Sequence, residues 1–421
     1  MTMRDSHSVF KSSLVALACM LLVGVANADS PLSLTVSENL TRDSNVLRNN
    51  DNKYSDTVSV TGAQLGFNKQ YGRQTYRASG TVLATRYKTT DFYDNDGYNL
   101  ALGFTSQIAS NWMVSLDHNR VSQLQSFQDQ GLNRYREPIK SQDTGLFVQY
   151  GLYGRWSVNT DLSVSKVDYE VLRNNNRRSE GAKFGVRYSP TDLLYFDVGY
   201  RRTDSKLPNY TPSVASDYDG EKIRRQSIEF STRWIVTGYS NLDARVAWTQ
   251  EKYRVDEMRD FNGLTGNFGW NYSPSGKISY GVNLSRDTNN EGGSTVVSFD
   301  GFTPEFMPQF SYGFNSQKRV TTGLSVRANY SATAKISLSA SASYRRIEEE
   351  RRYDPLQGSS GAAFSDRSAG SYRSVNIGAT YQLFRSTKLG CSVEKYARSA
   401  SIFSRDFSGD AVSCNAAFTI D

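Results

Sequence analysis

Histidine and cysteine are nearly absent from this chain. Its 421 residues hold two histidines and three cysteines, and His7 and Cys19 fall within the first twenty. That leaves His118 as the one histidine for acid–base work, and Cys391 with Cys414 as the remaining thiols. Outer-membrane lipases and proteases use histidine as base, so a hydrolytic centre lacks its material. No Cys/His cluster has metal-ligand spacing, and no glycine-rich phosphate loop follows a strand. No stretch past the first 28 residues approaches the ~20 apolar residues of a transmembrane helix. Charge of one sign is also lacking. The formal net charge is +7, mild for this length, and nothing in it calls for nucleic acid. No cofactor is expected.

What is present begins with a leader. Arg4 and Lys11 form a positive n-region, and residues 13–25 form a short apolar run. Ala26-Asn27-Ala28 is a small-residue cleavage site, which predicts a signal peptide over 1–28 and a mature chain over 29–421. Cys19 lies inside the apolar run, and Ala16-Leu17-Ala18 before it makes a poor lipobox. The export signal places the rest in or beyond the periplasm.

Beyond the leader the residues alternate with the period of a strand. Trp156, Val158, Thr160, Leu162 and Val164 interleave with Ser157, Asn159, Asp161 and Ser163. Ile278, Tyr280, Val282 and Leu284 interleave with Lys277, Ser279, Gly281 and Asn283. One face suits hydrocarbon and the other water. The mean hydropathy of −0.55 fits a wet-lumened barrel, in which only alternate residues meet lipid. The connectors alternate short and long. Ser189-Pro-Thr-Asp192 and Ser273-Pro-Ser-Gly276 are compact turns, whereas 41–55, 125–142, 204–223, 287–317 and 349–371 are long and polar. This rhythm predicts an all-β fold: a transmembrane antiparallel β-barrel of about eighteen strands, with sixteen or twenty as the neighbouring counts. Its short turns are periplasmic and its long loops extracellular. Trp112, Tyr150, Trp156, Tyr188, Trp234, Trp270, Tyr330 and Tyr381 gather beside the short turns, as a periplasmic aromatic girdle would.

The opposite parity describes a lumen of Ser, Thr, Asn, Gln and Gly with scattered ions. Lys183, Arg187, Arg201, Arg225, Arg233, Arg245, Arg327, Lys335 and Arg345 fall on it, as do Asp117, Asp161, Asp197, Glu229, Asp243 and Glu394. Opposite charges on adjacent strands can neutralise one another. A basic excess attracts anions, and hydroxyls and amides match a hydrated sugar. Any wet barrel needs polar walls as well. The connector 287–317 carries Phe299, Phe302, Phe306 and Phe310, an apolar content unusual in a loop. It is a candidate constriction folded into the mouth, or a hairpin above the membrane. Cys391 and Cys414 lie almost symmetrically about 402–403 and would meet across a hairpin, as a disulfide or as two free thiols. Parity turns His118 outward as an interfacial side chain.

The amino-terminal third carries a resemblance. Ser37-Glu-Asn-Leu-Thr-Arg-Asp-Ser-Asn45-Val-Leu-Arg48, Ser55-Asp56-Thr57, Tyr71-Gly-Arg73-Gln74, Asn119-Arg120 and Phe127-Gln-Asp129 resemble EpsL-like outer-membrane barrels encoded in exopolysaccharide loci. The likeness covers residues 30–130, and beyond them only the strand pattern continues it. It implies an outer-membrane conduit that exports an exopolysaccharide. The basic lumen favours an anionic polymer, and a separate periplasmic export partner would hand it over. A general or anion-preferring diffusion porin is the second reading, and a lipid-modifying barrel enzyme the third. A plug-bearing receptor is not expected.

Overall fold

The structure is a computed structural model. It describes residues 30–420, apart from 129–134, 211–219, 255–256, 290–293, 303–307, 356–363 and 402–404. The side chains of Met258 and of 289–317 and 351–364 also lie outside the description, as does the predicted signal peptide.

Among the described residues, nineteen strands follow one another in simple antiparallel order. The first group is β1 (Leu32–Asp43), β2 (Asp56–Tyr71), β3 (Gln74–Tyr87), β4 (Asn95–Ile108) and β5 (Trp112–Leu124). The second is β6 (Pro138–Tyr150), β7 (Trp156–Tyr169), β8 (Arg177–Thr191), β9 (Leu194–Leu207), β10 (Glu221–Thr237) and β11 (Ser240–Tyr253). Then come β12 (Phe261–Ser275), β13 (Ile278–Asn289), β14 (Ser294–Phe302), β15 (Pro308–Ser331) and β16 (Ile336–Pro355). The last are β17 (Phe364–Phe384), β18 (Thr387–Arg398) and β19 (Phe407–Ile420). Except at β13–β14, each strand pairs with the next, and β1 pairs with β19, from Leu34↔Ile420 to Asp43↔Ala411. The barrel wall is therefore closed, which is what a lipid environment requires. In the wall β13 pairs directly with β15. The short β14 pairs only with the upper part of β15, so eighteen strands make the barrel, as the alternation predicts.

The two faces separate as the parity requires. Val158, Phe184, Val198, Ile228, Val246 and Trp248 stand exposed on the outside, Ile228 by 63%. Residues on the other face bond to one another across the strands. A broad exposed apolar belt on a closed barrel is a surface that lipid covers, and the protein is accordingly an outer-membrane barrel. Beside the short turns, Trp112 stacks at 4.8 Å on Tyr150, Trp156 at 4.7 Å on Tyr188 and Trp270 at 5.5 Å on Tyr272. These rings form the girdle.

The structure selects the hairpin alternative for 287–317 and corrects the sequence reading in two places. The segment 287–317 is largely paired strand: β14 and β15 form a hairpin from Ser294↔Asn315 to Phe302↔Pro308. The side chains of Phe299, Phe302 and Phe310, and all of Phe306, lie outside the described residues, and with them the constriction. The segment 349–371 is no simple loop either, because β16 and β17 stay paired up to Tyr353↔Phe364. Polar ladders hold this extension. Arg367 reaches Glu350 at 2.8 Å and Arg319 reaches Glu349 at 3.3 Å. A strand with charged residues on both faces has no apolar period, so alternation cannot reveal it. Lastly, Lys335 falls in the turn before β16, where its backbone N–H donates to the Thr333 hydroxyl, and not in the wall.

Candidate functional site: a two-walled lumen

One half of the lumen carries a continuous ionic ladder. Its centre is Asp197 on β9, which is fully buried. Lys183 on β8 approaches Asp197 Oδ1 at 2.8 Å, Arg187 approaches Oδ2 at 3.5 Å, and Asn159 on β7 donates to the same carboxylate. On the next strand, Glu229 of β10 is buried as well. It receives Arg201 at 3.1 Å, Arg245 of β11 at 3.2 Å and the Ser227 hydroxyl at 3.0 Å. Arg201 also reaches Asp161 of β7 at 3.4 Å, a residue whose register partner is Lys183. The chain of contacts extends through Gln149 on β6, which bonds Ser157 at 3.1 Å, and through Asn267 on β12, which accepts from Arg245 at 3.2 Å.

The backbone makes room for this ladder. A Cβ on Gly199 would stand 2.6 Å from Lys183 Cε, and one on Gly185 would stand 2.8 Å from Asn159 Oδ1. Glycine at these inward positions lets the long side chains lie flat across the wall. Arg187 also covers the Tyr195 ring at 4.0 Å. The predicted basic residues are therefore largely compensated. Arg233 pairs with Asp243 and Arg225 with Asp287, each at 2.6 Å. These carboxylates, together with the buried Asp197 and Glu229, remove most of the free positive field.

The other half, from β15 through β19 to β1, is built differently. Ser337, Ser339, Ser341 and Ser343 share the inward face of β16, opposite Asn329, Arg327 and Ser325 on one side and Thr380, Gly378, Asn376 and Ser374 on the other. Hydroxyls pair across strands: Ser343 with Ser374 at 2.9 Å, Thr41 with Ser413 at 2.7 Å and Thr35 with Thr419 at 3.0 Å. Arg327 lies over Gly281, where a Cβ would meet its Nε at 2.9 Å. It is exposed, with no carboxylate in ion-pair range among the described residues. Arg345 sits on the Tyr372 ring at 4.8 Å.

At the extracellular end a motif recurs on every fourth strand, and the sequence reading missed it. The backbone N–H of Tyr87 donates to Asp94, that of Tyr169 to Asn176 and that of Tyr253 to Asp260, in each case seven residues ahead. The loop so formed is clamped by a buried carboxylate 33 residues earlier: Asp56 takes Thr89, Glu137 takes Glu170 and Glu221 takes Arg254. Asp56 also accepts from the Thr90 backbone and hydroxyl, and Glu137 from Val171 and Leu172. The signal was a Tyr with an Asx seven residues on, repeating along the chain. A further cluster ties the first loop to the last hairpin. Arg48 bonds Asp43 at 2.7 Å and the Tyr396 hydroxyl at 2.6 Å, and Arg398 donates to the Gln128 carbonyl at 2.7 Å.

Cys391 and Cys414 face each other across β18 and β19 and are bonded, with Cα atoms 4.1 Å apart. They lie on the outward face beside Val393 and Val412. His118 is also outward, with its Nδ1 2.9 Å from the Thr144 hydroxyl.

No protein-family model matches the chain, and no curated protein does. Solved outer-membrane structures do resemble it. The ferric enterobactin receptor PfeA of Pseudomonas aeruginosa shares 9% identity at a TM-score of 0.45, over 94% of this chain and 81% of that one. The FrpB iron transporter of Neisseria meningitidis shares 9% at 0.46, over 93% and 82%. OpdL of Pseudomonas aeruginosa shares 11% at 0.44, over 94% and 99%. At these values no ligand or activity carries over.

Proposed function

We propose that the barrel is an outer-membrane conduit for export of an exopolysaccharide, delivered to its periplasmic end by a separate export partner. The observation that carries this reading is the two-walled lumen. A hydroxyl and amide wall offers exchangeable hydrogen-bond partners to a sliding sugar chain, and a compensated ionic wall faces it without trapping ions. Hydroxyl pairs such as Ser343–Ser374 exchange partners at little cost, because each group both donates and accepts. Export requires such a surface, since binding must be weak and repeated for a polymer to move. The resemblance of residues 30–130 to EpsL-like barrels supports the same substrate class. An anionic polymer fits Arg327 and Arg345, which stand on the hydroxyl wall apart from the paired ladder. Deleting the gene is expected to abolish surface polysaccharide while leaving small-solute uptake near normal. Unchanged surface polymer would end the export reading.

The second reading is an anion-preferring diffusion porin, and the unpaired Arg327 favours it. A strong anion preference in planar bilayers, with polymer secretion intact in the deletion strain, would select it.

A further inference from the structure

We propose that copies of this chain stand side by side in the membrane, with Glu38 on β1 of one copy set against His118 and Arg120 on β5 of the next, in a closed ring of three or four. The starting observation is a break in the outer belt. Over the upper part of β1 and β2 the alternation inverts. Val58 and Val60 share the inward face with Thr41 and Asn39, while Ser59, Thr61 and Glu38 face outward beside Leu40 and Cys414. Glu38 stands between Val36 and Leu40 along β1, so it lies within the apolar belt. The Ser59 and Thr61 hydroxyls donate to its two carboxylate oxygens, each at 2.5 Å. No described cation lies in ion-pair range of it.

A second polar spot of opposite character lies four strands on. His118 and Arg120 follow one another on the outward face of β5, beside Thr144 and Gln142 of β6. The exposed Leu102, Leu116 and Val164 surround them. His118 Nδ1 meets the Thr144 hydroxyl at 2.9 Å, and the Arg120 guanidinium lies 6.0 Å from the Tyr98 ring. No described carboxylate lies in ion-pair range of either. Ionisable groups at this depth face a partner rather than lipid, because hydrocarbon solvates neither sign.

The two spots stand at one height, which copies related by rotation about the membrane normal require. Leu34, Leu65, Gly80, Leu100 and Arg120 share one hydrogen-bonded row, which starts near the periplasmic end of β1 and ends near the extracellular end of β5. With strands tilted by about 40° that row climbs about 3 Å per strand, or about 12 Å by β5. Glu38 is four residues above Leu34 on β1, a climb of about 10 Å at the same tilt. It is thus level with Arg120, and His118 is one step lower. Four of eighteen strand steps span about 80° of the wall. The wall curves away between the two spots, so one partner cannot cover both. Unlike surfaces then meet head to tail, and a ring closes where the contact directions enclose roughly 60° for three copies or 90° for four.

The test combines native mass spectrometry of the unaltered barrel in neutral detergent with oxidative cross-linking in isolated outer membranes. Val36 and Leu116 lie two residues below Glu38 and His118 on the same strands. Within one chain they are four strands apart, roughly 19 Å, and a disulfide spans Cα atoms no more than about 7 Å apart. A Val36→Cys/Leu116→Cys variant is therefore expected to link copy to copy, while either cysteine alone gives no linked species. The unaltered barrel is expected at the mass of three or four chains, and Glu38→Leu at the mass of one. Heat-modifiable electrophoretic mobility reports folding, and where one variant fails to fold the other decides. A folded double-cysteine variant without linked species would overturn the proposal. So would linkage through either cysteine alone, a mass of two chains, or a ring that survives Glu38→Leu.

Discussion

Single residues on the ladder carry both stability and selectivity. Asp197 is buried and holds two cations at once, so Asp197→Asn leaves Lys183 and Arg187 without their counter-charge. Removing one partner of a buried pair is expected to cost on the order of 3 kcal/mol, read as a lower urea midpoint for the lipid-embedded barrel. The same change should raise anion preference in a planar bilayer. A midpoint within error of the parent would show that the pair is not desolvated. Arg327 is the complementary case. It is exposed in the lumen and supports no ion pair, so Arg327→Gln should shift stability by less than about 0.5 kcal/mol. Its reversal potential in a salt gradient should nevertheless move toward lower anion preference, and an unmoved potential would take Arg327 off the path.

At the scale of elements, the strands and turns were legible in the sequence and the mouth was not. Alternation about Trp156–Val164 or Ile278–Leu284 is a direct record of lipid on one side and water on the other. Charged residues lie on both faces at the upper ends of β15, β16 and β17, with Glu349 paired to Arg319 and Glu350 to Arg367, so Glu348-Glu-Glu-Arg351 carries no such record and reads as loop. The lumen parity of Lys183, Arg201 and Arg245 was visible, as was their capacity to pair. The burial of Asp197 and Glu229 depends on glycines at 185 and 199 and needed the register. The clamps at Asp56, Glu137 and Glu221 escaped because each joins residues 33 apart without any hydrophobic period. These clamps make a clear expectation. Asp56→Ala removes the acceptor for the Thr89 and Thr90 amides, and their hydrogen exchange should quicken about tenfold, the equivalent of roughly 1.4 kcal/mol. Unchanged exchange would show that the loop holds itself. The Cys391–Cys414 bond closes a sequence separation of 23 residues, which in the chain-entropy view is worth about 3 kcal/mol. Reduction should therefore speed unfolding of the terminal hairpin while leaving conductance alone, since both sulfurs face lipid.

The whole molecule is a closed wall whose two faces meet two environments: an apolar belt for acyl chains, and a lumen divided between hydroxyls and compensated ions. The central claim is that a polysaccharide passes through that lumen. The most direct test makes passage depend on the bore. Cys391 and Cys414 are bonded to each other, so Ser341→Cys introduces a free thiol on the exposed hydroxyl wall. Ala342→Cys, one residue on, places it in lipid, where a hydrophilic polymer-linked maleimide cannot reach. Polymer secretion is measured in a deletion strain complemented with each variant, before and after labelling with a maleimide large enough to fill the bore. The account expects secretion to stop when Ser341→Cys is labelled and to continue with Ala342→Cys. Secretion at the parent rate through a fully labelled Ser341→Cys barrel would contradict it.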